Sequence, residues 1–304
     1  MARTTVESLL DRTIRQLNSS VRNELNTLAN NVSTSGTTLT LSYELTPAYR
    51  LGSVLAVGLE LMRVLSVDTS TKTVEVLRGW QDSNVETHSA GDEIVVNPRF
   101  TRFEAYDALI DEITSWEPDL FSVVDYEWTV DTEDETVELP SSLADAIGVI
   151  RVRRNWEESD SSSWPSLKFR LQRGDPSVWS GASASGLLIR LVTHNGAGRN
   201  GQVHAQIAYP FIVDDTLAQS DDLVADVGLQ RSMLDLLALG IKVRLLSDDE
   251  NNRASRQPAD ESRRAGDVAV NRGLELAQTM RANYLRRYSA EIMKLRTKYP
   301  MVAW

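Results

Sequence analysis

Short runs in which apolar and polar residues alternate occupy most of the chain between residues 38 and 209. A period of two is typical of β-strands with one buried face, and it is incompatible with a long helix. Five such runs lie between Thr37 and Pro98, joined by turn-rich links such as 68–72 and 90–93. This spacing predicts a small curled antiparallel sheet. Similar runs within 119–212, separated by links rich in Ser, Gly and Pro, predict a second β domain resembling a small sandwich.

One part of this second domain is purely acidic. Residues 119–139 contain eight Asp and Glu and no Lys or Arg. Two alternating runs, 126–130 and 136–140, flank a turn, which predicts a solvated hairpin. The acidic surface expected at its tip consists of Asp131, Glu133, Asp134 and Glu135.

The two ends of the chain and one segment between the β regions have the helical period. Apolar residues three or four positions apart predict helices over 4–31, 101–116, 223–246 and 261–298, with a polar linker at 248–260. The stripe on the first helix either covers its own domain or contacts a neighbouring subunit. The interface version of this prediction names Leu10, Ile14, Leu17 and Val21.

Several functional classes are excluded or disfavoured by composition and motifs. The chain has no cysteine, so it has no disulfide, no thiol nucleophile and no Cys-ligated metal. The net charge of −11 argues against a nucleic-acid coat, because phosphate binding requires a surplus of Lys and Arg. No signal peptide or membrane span is recognisable, so a protein that is soluble and made in a cytosol is expected.

The few catalytic or ligand-binding patterns are weak. The match to G-x-G-x-x-G at 196–201 precedes a strand rather than a helix, which favours a β-hairpin loop over a dinucleotide site. His194 and His204 flank that loop, but no third metal ligand is evident. There is no G-x-S-x-G elbow. We therefore expect no enzyme activity, no metal and no cofactor.

The C-terminal helix differs in charge from the rest of the chain. Residues 261–298 contain nine Lys and Arg against four Asp and Glu. The apolar segment that follows ends in an aromatic residue, which suits insertion into a partner. The predicted docking residues are Arg286, Arg287, Tyr288, Ile292, Leu295, Tyr299, Met301 and Trp304.

The stretch from Gly52 to Trp116 resembles a module of tailed-phage head-to-tail connector proteins. The resemblance rests on four short motifs followed by a helix, and they cover roughly a fifth of the chain. The motifs are Glu60-Leu61-Met62-Arg63-Val64, Val74-Glu75-Val76-Leu77-Arg78-Gly79-Trp80, His88-Ser89-Ala90-Gly91-Asp92 and Val96-Asn97-Pro98-Arg99-Phe100.

The resemblance implies an α+β fold with a helical adaptor core, made of the N-terminal, middle and C-terminal helices. The small β module and the sandwich-like domain would be additions to that core. It divides the chain into 1–118, an inserted β domain at 119–212, a helical region at 213–298 and a docking tail at 299–304.

It also implies a function in the virion neck. The chain would form a ring, of twelve subunits, that docks on the portal protein and joins it to a stopper or tail-completion protein. Double-stranded DNA would pass through the ring without specific binding, since an acidic surface does not retain phosphates. No membrane contact is expected.

A second interpretation is a baseplate or fibre protein whose β domain binds carbohydrate. Trp156, Trp164 and Trp179 lie in or beside polar loops of the second β domain, where exposed aromatics could stack on sugars. A hydrolase is the third and least supported alternative.

Overall fold

The computed structural model describes residues 4–18, 23–130, 136–154, 166–173, 186–192, 201–213, 217–256 and 267–303. The chain divides into two compact units. Unit 1 comprises Met1–Glu112, Ala218–Ser220 and Asp235–Tyr284. Unit 2 comprises Ile113–Leu217, Asp221–Leu234 and Leu285–Trp304.

The described residues contain four α-helices: α1 (Val6–Leu17), α2 (Arg102–Thr114), α3 (Leu234–Arg256) and α4 (Asp267–Lys298). They also contain thirteen strands: β1 (Glu24–Thr27), β2 (Thr38–Thr40), β3 (Val54–Val57), β4 (Glu60–Asp68), β5 (Thr73–Leu77), β6 (Glu93–Val96), β7 (Ser122–Val130), β8 (Thr136–Glu138), β9 (Gly148–Arg154), β10 (Lys168–Arg173), β11 (Leu187–Val192), β12 (Gly201–Tyr209) and β13 (Val302–Ala303). None of these helices is long and apolar enough to cross a membrane.

Unit 1 is built around a curled six-stranded antiparallel sheet with the strand order β1-β6-β3-β4-β5-β2. A bridge between Leu28 and Leu41 joins the two outer strands beyond their ends, so the sheet curls towards closure. The strands β2 to β6 lie where the alternating pattern predicts them. Their inward side chains form one core, which includes Leu39, Leu55 and Met62, all fully buried.

The helical pattern at the N-terminus does not continue to residue 31 as predicted. Helix α1 ends at Leu17, and Asn18 caps it with its backbone N–H on the carbonyl of Ile14. The next helix-period positions fall in and after β1: Leu25 lies in this strand and is exposed, and Leu28 follows it and is buried. The prediction was wrong because a spacing of three or four residues can also arise where a helix is followed by a short strand.

Unit 2 contains two sheets that share one apolar core. One sheet has the order β10-β11-β8 and the other β13-β9-β12-β7. Buried residues from both sheets, such as Val137 and Ile189 on the first and Val203 and Ile207 on the second, belong to the same cluster. This agrees with the expected sandwich-like domain.

Two hairpins predicted in this domain are wrong. Strands β7 and β8 follow each other in the chain, but β7 pairs with β12 and β8 pairs with β11. Strands β11 and β12 likewise lie in different sheets, so the segment 196–201 does not connect a hairpin. Local alternation marks strands, whereas pairing depends on which apolar faces meet across the core.

The helical region also differs from the prediction. Residues 223–233 form turns and a short 3-10 helix, with Leu223 and Val227 buried, and α3 begins only at Leu234. Helix α3 then continues to Arg256, through most of the segment predicted as a polar linker.

The predicted fold class, a helical adaptor core carrying β additions, is wrong. The described part of the chain is a mixed α/β structure that is rich in strands, with a curled antiparallel sheet and only four α-helices, rather than a helical core. The apolar spacing at 21–28 and 223–233 predicted helices, although this spacing suits turns and short strands equally well.

Candidate functional site

Glu60, Arg78 and His88, which come from three of the four motifs of the resemblance, meet inside unit 1. Glu60 opens β4 and has a fully buried side chain, although a lone buried carboxylate would be very unfavourable. Arg78 donates from Nε to Oε1 and from Nη2 to Oε2, both at 2.6 Å. His88 Nε2 lies 2.8 Å from Oε2. Backbone N–H groups of Gly79 and Glu86 donate to the same carboxylate at 3.2 and 3.1 Å.

This carboxylate is an acceptor only. Burial would raise the pKa of Glu60, but the hydrogen bonds from Arg78, His88 and the Glu86 backbone outweigh it and lower the pKa to about 2. An ionised carboxylate cannot donate a hydrogen bond, so Nε2 of His88 carries the hydrogen. A buried carboxylate with so low a pKa is a poor general base at neutral pH.

The remaining donors of Arg78 bind backbone. Its guanidinium donates to the carbonyl oxygens of Ser33, Gly36 and Glu86 at 2.9, 2.8 and 2.6 Å. Both buried charges are therefore paired and surrounded by hydrogen bonds, which is the condition under which a buried ion pair is tolerated. We call Glu60, Arg78 and His88 the charge cluster. It holds two connections, the one between β1 and β2 at Ser33 and Gly36 and the one between β5 and β6 at 79–88.

The other motif residues hold neighbouring loops. Asn97 has a φ of 45° and accepts the N–H of Val54 on its side chain at 2.9 Å. Gly91, with a φ of +96°, supplies a turn that residues with a Cβ adopt only under strain. Arg63 lies over the ring of Trp80, 4.5 Å from its centroid. The motifs thus define the shape of this module and leave the charge cluster closed to a ligand.

A groove of about 1050 Å³ lies beside the charge cluster in unit 1. Its walls include Ile14 and Arg15 of α1, Leu25 of β1 and Val95 of β6. Of the predicted interface residues, Leu10 is buried, whereas Ile14 and Leu17 are half-buried. Val21 lies outside the described residues.

The predicted docking residues are divided between surface and core. Arg286 and Arg287 are exposed, and Tyr288, Ile292, Tyr299 and Met301 are half-buried. Leu295 is only 2% exposed, so its side chain is not at the surface of the chain, and its contact with a partner stays a prediction. Trp304 lies outside the described residues.

The part of α4 in unit 2, residues 285–298, is a basic helix with apolar side chains on its surface. It carries five Lys and Arg and one Glu. Leu285 is 52% exposed and Met293 is 72% exposed. Exposed cations beside exposed apolar groups form a surface that suits an acidic protein partner. We call residues 285–298 the basic helix.

Other predicted features give no further site. The acidic residues Asp131, Glu133, Asp134 and Glu135 lie outside the described residues, as do Trp156, Trp164, Trp179 and His194. His204 is buried, and its Nε2 is 3.2 Å from Oδ1 of Asp125. In the part of the chain that the structure describes, no three His, Asp or Glu side chains form a metal-binding group.

The motifs are recognisable in the sequence, but the contacts among Glu60, Arg78 and His88 are not. The usable signal is a Glu inside an apolar strand run, at 60–64, and an Arg at the end of another, at 74–78. Charged residues at such positions must be paired if their side chains are buried. The chain matches no protein-family model and no curated protein sequence.

Proposed function

We propose that this chain is a structural subunit of a tailed-phage head-to-tail connector. In this proposal it assembles as a ring, of twelve subunits, in the virion neck. The ring binds the portal protein on one side and a stopper or tail-completion protein on the other. Double-stranded DNA passes through its centre without specific binding.

One observation carries the proposal. Three residues from three of the four motifs of the resemblance meet in a single buried cluster, in which Arg78 and His88 both contact Glu60. Motif matches that arise by chance have no reason to meet in space. The three residues of the charge cluster together hold one arrangement of loops. This supports a shared module rather than chance motif matches.

The exposed chemistry is consistent with an assembly role. The basic helix offers cations and apolar side chains to a partner, and an acidic partner surface would be steered to it. The chain as a whole is acidic, with a net charge of −11. Such a balance disfavours retention of DNA, because each Lys or Arg contact with a phosphate adds to non-specific affinity.

The proposal is tested by binding to the portal ring of the same phage. Arg287→Glu reverses one exposed charge on the basic helix. We expect it to weaken portal binding at least about tenfold, equivalent to roughly 1.4 kcal/mol. Binding is measured by co-sedimentation of the purified chain with portal rings, at two salt concentrations.

Lys168→Glu is the matched control. It makes the same change in charge on an exposed residue of β10, which belongs to the three-stranded sheet of unit 2. It should change binding less than about twofold, because it alters the net charge but not the docking surface. No binding of the unaltered chain to the portal, or equal weakening by both variants, would contradict the proposed docking surface.

A further inference from the structure

The strand β7 forms one outer edge of the four-stranded sheet in unit 2, where it pairs only with β12. The pairing extends from Ser122 opposite Tyr209 to Val130 opposite Gly201 without a register shift. Apart from this pairing, residues 123–130 make no backbone hydrogen bond in the part of the chain that the structure describes. Their outward N–H and C=O groups are therefore available to a further strand.

Other sheet edges among the described residues are covered, short or basic. The opposite edge of the same sheet, at β9, is covered by the C-terminal segment that follows Pro300, and Gly148 makes room for it, because a Cβ there would lie 2.5 Å from the carbonyl oxygen of Val302. The edge strand β10 has three Lys and Arg in six residues, and β8 has only three residues. Short length, covering segments, Pro and Lys are the usual protection of a sheet edge. The strand β7 is nine residues long and has none of them.

The solvent face of β7 is acidic. Asp125 and Glu127 are both exposed and, being two residues apart on a strand, they lie on the same face of the sheet. Asp125 is 3.2 Å from Nε2 of His204, whereas Glu127 forms no ion pair with any described residue. Residues 119–139 contain no Lys or Arg. A strand added beside β7 would therefore meet two carboxylates at alternate positions.

The core face of β7 is apolar and incompletely covered. Val124, Tyr126 and Trp128 pack against the core of unit 2, and each of them is only half-buried. The rings of Tyr126 and Trp128 stack with their centroids 5.4 Å apart. Because β7 is an edge strand, these side chains have a neighbouring strand on one side only. Apolar side chains on an added strand would cover the other side, and such cross-strand pairs with aromatic residues are stabilising.

We propose that β7 is a docking edge to which another protein adds an extended segment as a further strand. The matching segment alternates Lys or Arg, opposite Asp125 and Glu127, with apolar residues beside Tyr126 and Trp128. Directly opposite side chains on adjacent strands are about 5 Å apart, so each pair of opposite charges is in range. In this mode of binding the main-chain hydrogen bonds supply affinity, and the alternate side chains supply specificity.

A second copy of the same edge does not fit. In an antiparallel pair of β7 strands centred on Tyr126, Asp125 of each copy would lie opposite Glu127 of the other. Like charges directly opposite each other on adjacent strands are destabilising. The acidic face thus disfavours self-association through β7 and favours a basic segment of a different protein.

The proposal is tested with a short synthetic peptide of alternating Lys and Val, blocked at both ends. The full-length chain is titrated with this peptide, and hydrogen exchange is measured by mass spectrometry. We expect slower exchange within residues 123–129 and no change at the β9 edge. The same peptide with Glu in place of Lys should bind at least about fivefold more weakly. Unchanged exchange in 123–129 at millimolar Lys peptide would overturn the proposal.

Reversal of one charge on β7 separates a specific contact from general attraction. Glu127→Lys should weaken binding of the Lys peptide at least about fivefold and strengthen binding of the Glu peptide by a similar factor. Glu75→Lys makes the same change in net charge at an exposed position of β5, which has a paired strand on each side. This control should change binding less than about twofold. Equal weakening by both variants would overturn the proposal, because net charge alone would then explain the attraction.

A peptide that is methylated on its backbone nitrogens tests the strand pairing itself. It keeps the charges of the Lys peptide but has no N–H to donate, so we expect it neither to bind tightly nor to protect 123–129. Binding equal to that of the unmethylated peptide would overturn strand addition. The inference does not depend on the portal, whose proposed contact is the basic helix. Glu127→Lys should therefore bind portal rings as the unaltered chain does, so a negative peptide result leaves the proposed function intact.

Discussion

The cores of the two units differ in the polar side chains that they bury. In unit 1 the described residues include two buried glutamates, and each has an arginine partner: Glu60 with Arg78 and Glu112 with Arg244. In unit 2 the buried polar side chains among the described residues are Ser122 and His204. Unit 1 therefore adds two buried charge pairs to its apolar core, whereas the described core of unit 2 contains no such pair of Glu and Arg.

This difference predicts which substitutions each unit tolerates. A buried ion pair is strongly destabilising when one partner is lost, so the loops around the charge cluster are fixed. Loss of one charge partner in unit 1 should therefore cost more than loss of one edge contact in unit 2.

The largest expected effect is that of Glu60→Gln. This variant leaves the guanidinium of Arg78 buried without a counter-charge, which typically costs about 3–5 kcal/mol. Hydrogen exchange measured by mass spectrometry should show faster exchange throughout residues 24–100 and little change in 122–209. Glu75→Gln, on the exposed face of β5, is the control and should have an effect within about 0.5 kcal/mol. Equal loss of protection in both units would contradict the contrast between them.

A smaller effect is expected from acid. The folded pKa of Glu60, about 2, lies below its ordinary value of 4.5, so the stability it contributes is present above pH 5 and is lost as the pH falls towards 2. Between pH 6 and pH 3 the loss should be about 2 kcal/mol. Glu60→Gln lacks this titration. Urea unfolding should therefore show that the difference in free energy of unfolding between the unaltered chain and the variant decreases by that amount. A difference that is constant with pH would contradict the lowered pKa of Glu60.

Gly148→Ala tests unit 2. The added methyl should displace β13 and cost about 1–2 kcal/mol, since it overlaps Val302 and Met301. Hydrogen exchange should increase at Gly148–Val149 and in the last residues of the chain, while unit 1 stays unchanged. Arg151→Ala, an exposed position on the same strand, is the control and should leave the amides of β13 protected. Unaltered protection in Gly148→Ala would show that the segment does not depend on this glycine.

The smallest effect is expected for Arg63→Ala. Arg63 belongs to the same motif as Glu60, but it is exposed and contacts the Trp80 ring from the outer face of the sheet. Such a cation–π contact contributes about 0.5–1 kcal/mol. Urea unfolding followed by exchange in residues 24–100 measures it. A loss comparable to that of Glu60→Gln would mean that the outer face matters as much as the charge cluster.

The sequence predicts the strands far better than their partners. Alternation located β2 to β6 and β7 to β12, because each pattern is local. The pairing of β7 with β12 and of β8 with β11 depends on contacts up to 87 residues apart in the chain, which alternation does not encode. The same limit explains the predicted hairpins that are wrong.

The candidate sites show a similar division. The motifs marked the residues of the charge cluster, but their contact follows only from how β4 and β5 pair and how residues 86–88 return to them. The C-terminal segment was predicted to reach a partner, and its place on β9 was not foreseen. Gly148 and Pro300 are ordinary in sequence and acquire meaning only when the edge of the sheet is known.

The central claim, that this chain forms a ring on a portal, is tested most directly by electron microscopy of the full-length protein mixed with portal rings of the same phage. We expect closed rings that are coaxial with the portal, with density for both units in every subunit. A trimeric spike, or portal rings that carry no added density at saturating protein, would contradict it.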